Sequence, residues 1–359
     1  MFENRSITFM YIYFFLWGFL CLIASIDFIK IPLKQKLYFT LFSILIISLF
    51  CGLRGNVDGD YNNYVGYWNN APYLAHNTFT TFAIQIIFLG VEPGFILTCS
   101  LLKSIGLESQ SIFIFCSFLT FGIFFKIVKK ISPMPNLSLL IFFSLYIMLP
   151  FMQIRFGVAM VCIFYGIICW REEKKRKSIL LFFVAASFHT LTWGCILALP
   201  LLKLKIKYLI YFSILSFCIP SSLIRTIVSE VFNFMGSYAD YIKSEEELSM
   251  LSVLFNIIII LPVIYMYKLK QLDETFLFLI KSYLISIIIY LAVRDISILG
   301  RIAIVFSISS CIIIPQYLKI MKQNNFHFLV FALLIFGYCL LKYIPCLKFF
   351  EPYKINFIL

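Results

Sequence analysis

Charge is what this chain has least of. Only 13% of its 359 residues are Asp, Glu, Lys or Arg, against 62% hydrophobic, and the mean hydropathy is +0.97. A water-soluble fold needs roughly twice that charged fraction to cover itself, so a soluble globular protein is excluded. Also missing are the alternating segments of about ten residues that build a membrane barrel. The apolar runs are continuous and of helix length. What remains is an all-α, polytopic integral membrane helical bundle, because in lipid only helices and closed barrels satisfy their own backbone. The eleven cysteines form no CxxC pair and no Cys/His spacing, and most sit inside apolar runs. They read as small membrane hydrophobes, and neither a metal site nor a disulfide framework is expected. No A-x-A-like cleavage site follows residues 8–26; lysines do, which marks a retained first helix rather than a signal peptide. With no soluble domain, repeat or low-complexity linker, residues 1–359 read as a single transmembrane domain with outer loops near 54–109 and 221–248.

The cations come next. A net charge of +13 suggests nucleic acid until its distribution is followed. Basic residues gather in Lys30/Lys34/Lys36, Lys126/Lys129/Lys130, Arg171/Lys174/Lys175/Arg176/Lys177, Lys203/Lys205/Lys207, Lys268/Lys270 and Lys319/Lys322, short patches between apolar runs. That is the pattern of positive-inside anchors, and no nucleic-acid partner is expected. With the six patches on the cytoplasmic side, helices are predicted near 8–26 and 38–53, an outer loop from Arg54 to Asn77, and an inward helix over 111–128. Residues 82–103 then begin and end outside, as a re-entrant or surface-lying pair broken at Gly90-Val91-Glu92-Pro93-Gly94. Residues 136–149 go out, Pro150 to Arg155 turn, and 156–170 return. The stretch 178–202 lies between two basic patches yet suffices for only one tilted span. Either it is a broken helix pair meeting near His189, or Lys203–Lys207 lies outside; the broken pair is preferred. Residues 208–220 go out, Ser221 to Leu248 form a second outer loop, and helices near 249–267, 275–292, 299–317 and 326–344 follow. The total is about 10–12 crossings.

Where an apolar run stops at Cys51, Arg54, Asp58, Asp60, Tyr61 and Tyr64 follow in the sequence CGLRGNVDGDYNNY, a polar knot at a helix end. In this topology four of the eight arginines, Arg54, Arg155, Arg294 and Arg301, fall at the outer ends of different helices, where the positive-inside rule does not explain them. A guanidinium in the bilayer costs about 2.5–3.5 kcal/mol on insertion scales, so each needs a partner or a task. Its planar fork binds phosphate oxygens bidentately, which suits a lipid diphosphate. The ordinary alternative is pairing with a carboxylate. Asp295 stands beside Arg294, whereas Arg155, in QIRFG, has no adjacent acid.

The ordered set Gly52-Leu53-Arg54-Gly55-Asn56-Val57-Asp58-Gly59-Asp60-Tyr61, Glu92-Pro93-Gly94-Phe95, Gln153-Ile154-Arg155-Phe156-Gly157-Val158-Ala159, Ser187-Phe188-His189 and Gly300-Arg301-Ile302 resembles the Wzy/EpsG-type polymerases of O-antigen and capsular polysaccharides, over residues 50–305. In one place the chain departs from that family, whose loop usually reads Val-Gly-x-Asp-Tyr. Here Val57-Asp58-Gly59-Asp60-Tyr61 moves the glycine and makes Asp58 a rival to Asp60. The resemblance implies a fold similar to GT-C-type membrane glycosyltransferases, in the bacterial inner membrane with the site facing the periplasm or exterior. It implies transfer of a growing glycan from undecaprenyl diphosphate to the non-reducing end of another undecaprenyl diphosphate-linked repeat unit. Donor and acceptor are the expected partners, with membrane lipid and a chain-length regulator protein, and no cofactor. A metal-free version must stabilise the leaving diphosphate with side chains. On this reading Arg155 and Arg301 lead as diphosphate ligands, joined by Arg294, with Arg54 as a further ligand or as a partner holding its loop together.

For the base that accepts the acceptor hydroxyl's proton, the candidates are Asp60, Glu92 and His189. Glu92 has an ordinary alternative as the acidic start of the helix broken at Pro93, and His189, inside SILLFFVAASFHTLTWG, as an interhelical hydrogen bond. His76 and His327 lie in loops without a suggestive neighbourhood. Tyr61 and Tyr64, like Tyr67, Trp68 and Tyr73, can stack on sugars or form an interfacial belt. Tyr238, in the second outer loop with Asp240, Tyr241 and Glu245 to Glu247, is a further glycan-binding candidate. Two other classes compete: a lipid-linked oligosaccharide flippase or transporter, which should show pseudo-repeated halves not found here, and a related transferase, either an O-antigen ligase or a membrane acyltransferase using His189.

Overall fold

The computed structural model describes residues 10–74, 83–84, 88–220, 223–226, 230, 273–294, 296–321 and 325–356. Among them the protein is all-helical, apart from one isolated antiparallel bridge between Arg54 and Ile355. Seven described helices are long and apolar enough to cross a membrane: Tyr11–Phe28, Leu33–Gly52, Gln110–Ile131, Ile154–Arg171, Glu274–Ala292, Leu299–Met321 and Phe328–Leu347. Pro135–Tyr146, Thr192–Lys203 and Ile206–Cys218 are shorter apolar helices. This is a multi-pass membrane protein. The expected helix near 249–267, the second outer loop with Tyr238, Asp240, Tyr241 and Glu245 to Glu247, and His76 and Asp295 lie outside the described residues, as does the side chain of His327.

The chain divides into two compact units, residues 1–190 with 315–359, and residues 191–314. The first contains α1 (Tyr11–Ser25), α2 (Leu33–Gly52), α3 (Tyr61–Asn70), α4 (Pro93–Ser104), α5 (Gln110–Ile131), α6 (Pro135–Tyr146), the single turn α7 (Met148–Phe151), α8 (Ile154–Arg171) and α9 (Lys175–Phe188). The second contains α10 (Thr192–Ala198), α11 (Ile206–Cys218), α12 (Glu274–Ala292) and α13 (Ser297–Ser307). Helix α14 (Ser310–Met321) spans the boundary, and α15 (Asn325–Leu347) belongs to the first unit.

In the first unit, long-range contacts sort the helices into one direction or the other. At one end, buried Asp27 accepts hydrogen bonds from Asn136 Nδ2 at 3.0 Å and the Leu137 N–H at 2.9 Å. A carboxylate there meets the orphan donors of the first turn of α6. Lys36 Nζ donates to the Asp27 carbonyl at 2.6 Å, and Thr40 Oγ1 to Asn136 Oδ1 at 2.8 Å, so the α1–α2 turn and the start of α6 are tied together. At the same end of the helix directions, Lys130 at the close of α5 pairs with Glu172 at the close of α8. Partial burial pulls the Glu172 carboxyl up; the hydrogen bonds from Lys130 and Lys174 outweigh it and hold it below the usual carboxylate range. Helix α15 runs antiparallel to α1, with Phe28 against Phe328 (5.2 Å between ring centroids) and Tyr343 donating to the Tyr13 carbonyl at 3.0 Å. The unit's lysine patches therefore gather at one end, and Arg54, Glu92, Arg155 and His189 at the other.

The two helix breaks expected near the site are present. Gly90 adopts φ +61°, Glu92 precedes the first turn of α4 in an extended conformation, and Pro93 opens the helix, where its missing N–H costs nothing. Helix α9 stops at Phe188, His189 is extended (φ −157°, ψ 115°), and the next helix starts at Thr192, so the chain breaks near His189. Elsewhere the structure departs from expectation. Helix α2 begins at Leu33, so Lys34 and Lys36 form its first turn instead of preceding it. The helix predicted over 299–317 lies within the membrane-length helix Leu299–Met321, which a turn at Ile308-Ser309 interrupts between α13 and α14. There Ser307, Ser309 and Ser310 hydroxyls donate to the carbonyls of Ile304, Phe306 and Ser307 at 2.7–2.8 Å, competing with the helical ladder. In the second unit α11 and α12 run in the same direction. Lys281 Nζ reaches the Leu202 carbonyl (3.2 Å) ahead of α11, and Arg294, beyond the end of α12, reaches carbonyls at the end of α11.

Candidate functional site

The first polar cluster of the first unit is built on the loop after α2. Arg54 is fully buried, and its Nε donates to Asp58 Oδ2 at 2.7 Å. The guanidinium lies between the rings of Phe113 (4.6 Å to the centroid) and Phe151 (5.0 Å), close enough for cation–π attraction. Asp58 Oδ1 also accepts the Asp60 N–H at 3.0 Å, so Asp58 is engaged on both oxygens. Gly59 has open space around it and no left-handed φ, so the shifted glycine imposes no special turn. Gln110, at the start of α5, donates through Nε2 to the carbonyls of Gly52 and Arg54 and accepts from the Tyr61 hydroxyl at 3.2 Å.

Residues 350–356 close this loop from the other side, a part of the cluster that sequence reasoning did not find. The Gly55 N–H donates to the Lys354 carbonyl (2.8 Å), Glu351 N–H to Val57 (2.7 Å) and Asn356 N–H to Leu53 (2.9 Å). Tyr353 stacks on Phe50 at 4.4 Å and donates to the Phe50 carbonyl at 2.7 Å, while Asn356 Nδ2 donates to the Tyr61 hydroxyl at 3.1 Å. Nothing in the local pattern of an aromatic tail marks it as the partner of a loop some 300 residues away.

The second cluster joins four elements. Arg155, in the first turn of α8, forms an ion pair through Nη1 with Glu92 Oε2. Glu92 Oε1 accepts the Thr190 N–H at 3.3 Å, at the break after α9. The Glu92 side chain is 8% exposed and that of Arg155 22%, so the pair is accessible from the Arg155 side. The guanidinium is bounded by the rings of Tyr67 (5.3 Å), Tyr64 (5.8 Å) and Phe95 (5.8 Å). Its buried Nε has no hydrogen-bond partner among the described residues. Burial holds the Tyr64 phenol well above its ordinary value against the pull of the Arg155 charge, so it meets Arg155 as a neutral hydroxyl. His189 is buried, with its ring 5.1 Å from that of Phe156, the residue after Arg155. Close approach of α4 and α9 makes this possible: a Cβ on Gly94 would lie 2.8 Å from the Ser187 carbonyl oxygen. Arg155 thus has an acid after all, supplied from 63 residues away.

The structure brings Glu92, Arg155, His189 and Tyr64 into one neighbourhood. Asp60, half-buried, precedes α3 on the Arg54 loop. The Tyr61 ring is buried and stacked on Phe113 at 4.8 Å, so its face is already covered. Arg294 and Arg301 belong to the second unit. Arg294 donates from Nη1 to the Phe217 carbonyl (3.2 Å) and from Nη2 to that of Ile219 (3.3 Å), which places positive charge at the C-terminal end of α11. Arg301 is half-buried on α13. Among the described residues, no group of three or more His, Cys, Asp or Glu side chains could hold a metal ion.

The model of the EpsG family matches residues 37–355. No curated protein and no solved structure matches the chain. With a match over most of its 359 residues, the chain belongs to the EpsG family, and that membership points to a membrane protein of exopolysaccharide biosynthesis.

Proposed function

We propose that this protein polymerises a bacterial surface polysaccharide. It transfers the growing glycan from undecaprenyl diphosphate to the non-reducing end of a second undecaprenyl diphosphate-linked repeat unit, on the periplasmic face of the inner membrane. The observation that carries the reading is the partly exposed Arg155 side chain, its guanidinium walled by Tyr64, Tyr67 and Phe95 beside Glu92 and His189, in a chain of the EpsG family. Arg155 binds the diphosphate of the donor, and its fork stabilises the negative charge that develops as the bond to the anomeric carbon breaks. The acceptor hydroxyl forms the new glycosidic bond and its proton passes to a base. The electron pair of the broken bond leaves with the undecaprenyl diphosphate. Glu92 is the proposed base, because it is already within reach of the Arg155 charge.

Asp60 and His189 are assigned to shaping the acceptor side. Arg301 is retained as a diphosphate ligand on its Gly300-Arg301-Ile302 motif. Arg54, sealed and paired with Asp58, is assigned to holding the loop, and Arg294 to closing the end of α11. Tyr64 and Tyr67 line the guanidinium, and Tyr67, half-exposed, is the ring proposed to meet a sugar. The reaction needs no metal on this reading. Purified protein given undecaprenyl diphosphate-linked repeat units and a chelator is expected to release undecaprenyl diphosphate and lengthen the glycan. Release of lipid without lengthening, or lengthening only with added metal, contradicts it.

A further inference from the structure

The proposed reaction leaves one contact unexplained: the base and the anion-binding guanidinium are bonded to each other. Glu92 spends one oxygen on Arg155 Nη1 and the other on the Thr190 N–H. A carboxylate whose two oxygens already accept from Arg155 and Thr190 has fewer lone pairs left for the proton of a sugar hydroxyl. A guanidinium with one edge on a carboxylate has less of its fork left for phosphate. Nearly buried ions hold such a pair strongly, since leaving either one unmatched in an apolar wall is costly. Yet the pair is lopsided, with Arg155 partly exposed and its Nε unmatched among the described residues, while Glu92 is covered.

We propose that Glu92 is the resting counter-ion of Arg155 and that a lipid diphosphate displaces it. The exchange frees the carboxylate for the acceptor hydroxyl only once the donor is in place. A diphosphate carries more charge than the carboxylate and matches the fork of the guanidinium, so Arg155 loses no partner in the trade. Glu92 keeps the Thr190 N–H as its remaining anchor, so it turns about a fixed point instead of leaving the site. The consequence is ordered binding, with diphosphate first and acceptor second. A second consequence is that part of the donor's intrinsic affinity is consumed in opening the pair. This inference rests on the reading of Arg155 as the diphosphate ligand.

The test uses full-length protein in nanodiscs, with inorganic pyrophosphate as the probe and two readouts. Carbodiimide labelling of Glu92, followed by mass spectrometry, reports whether the carboxyl is released; pyrophosphate affinity reports whether Arg155 binds it. In the wild type, labelling of Glu92 is expected to rise several-fold on adding pyrophosphate. In Arg155→Ala, labelling is high from the start and insensitive to pyrophosphate, and affinity is lost. Glu92→Gln binds pyrophosphate about tenfold more tightly than the wild type. Glu92→Asp, which keeps the charge and shortens its reach, moves the affinity the same way by less and guards against a Gln variant that fails to fold. Unchanged Glu92 labelling in a wild type that binds pyrophosphate through Arg155 overturns the exchange and leaves the ligand assignment standing. Undiminished affinity in Arg155→Ala overturns the assignment itself.

Discussion

Two arginines of one unit show how a single residue type serves opposite purposes, and burial separates them. Arg54 is sealed against Asp58, Phe113 and Phe151, while Arg155 keeps about a fifth of its side chain exposed beside Glu92. Removing Arg54 strands the Asp58 charge in the interior, so Arg54→Ala is expected to cost about 3–5 kcal/mol of stability. Asp58→Ala does comparable damage, and the double variant loses less than the two singles together, because each single leaves the other ion unmatched. Thermal unfolding in detergent measures all three. Arg155→Lys keeps the charge and loses the fork. It should leave the unfolding midpoint close to that of the wild type while lowering polymer output about tenfold or more, scored on gels at matched protein levels. The arginines themselves were legible as the cations that positive-inside anchoring does not explain. Their partners differ in legibility: Asp58, four residues from Arg54, could be suspected, whereas Glu92 meets Arg155 only through the crossing of α4, α8 and α9. No local pattern encodes such a pair.

At the scale of elements, breaks and a strap set the site. The break before α4 and the break at His189 were legible, because Pro93, Gly90 and Gly94 interrupt one apolar run and 178–202 lies between two basic patches with a histidine in its middle. The turn between α13 and α14 was not, since serine is compatible with a membrane helix and the sequence does not show which carbonyls its hydroxyls take. Gly94 is the close-approach residue between α4 and α9. Gly94→Ala would set a methyl 2.8 Å from the Ser187 carbonyl oxygen, force the helices apart and draw Glu92 off Thr190. The expected result is shortened or absent polymer with protein still in the membrane, seen by blotting the same cells. The strap of residues 350–356 makes a prediction of its own. Tyr353→Ala removes the ring stacked on Phe50 and the hydrogen bond to its carbonyl, and loosens the Arg54 loop. It should lower the thermal midpoint and expose the loop to limited proteolysis near Gly55, a cleavage absent from the wild type.

For the whole molecule, the helix directions in the first unit place its lysine patches at one end and its site residues at the other. That is the arrangement the charge pattern predicts for cytoplasmic and exterior faces. Lys354→Cys, beside the Arg54 loop, should react with a membrane-impermeant maleimide on intact cells, and Lys174→Cys, at the lysine end, only after the cells are opened. The reverse result would invert the topology and move the site to the cytoplasm. In the proposed function, this EpsG-family protein joins repeat units and Arg155 belongs to the joining. The most direct measurement deletes the gene in its own host, restores either the wild type or Arg155→Ala at equal protein level, and separates the surface polysaccharide on a gel. A single repeat unit is expected in the deletion strain, a ladder with the wild type restored, and no ladder with Arg155→Ala. A full ladder with Arg155→Ala, or loss of all surface glycan in the deletion strain, would contradict it.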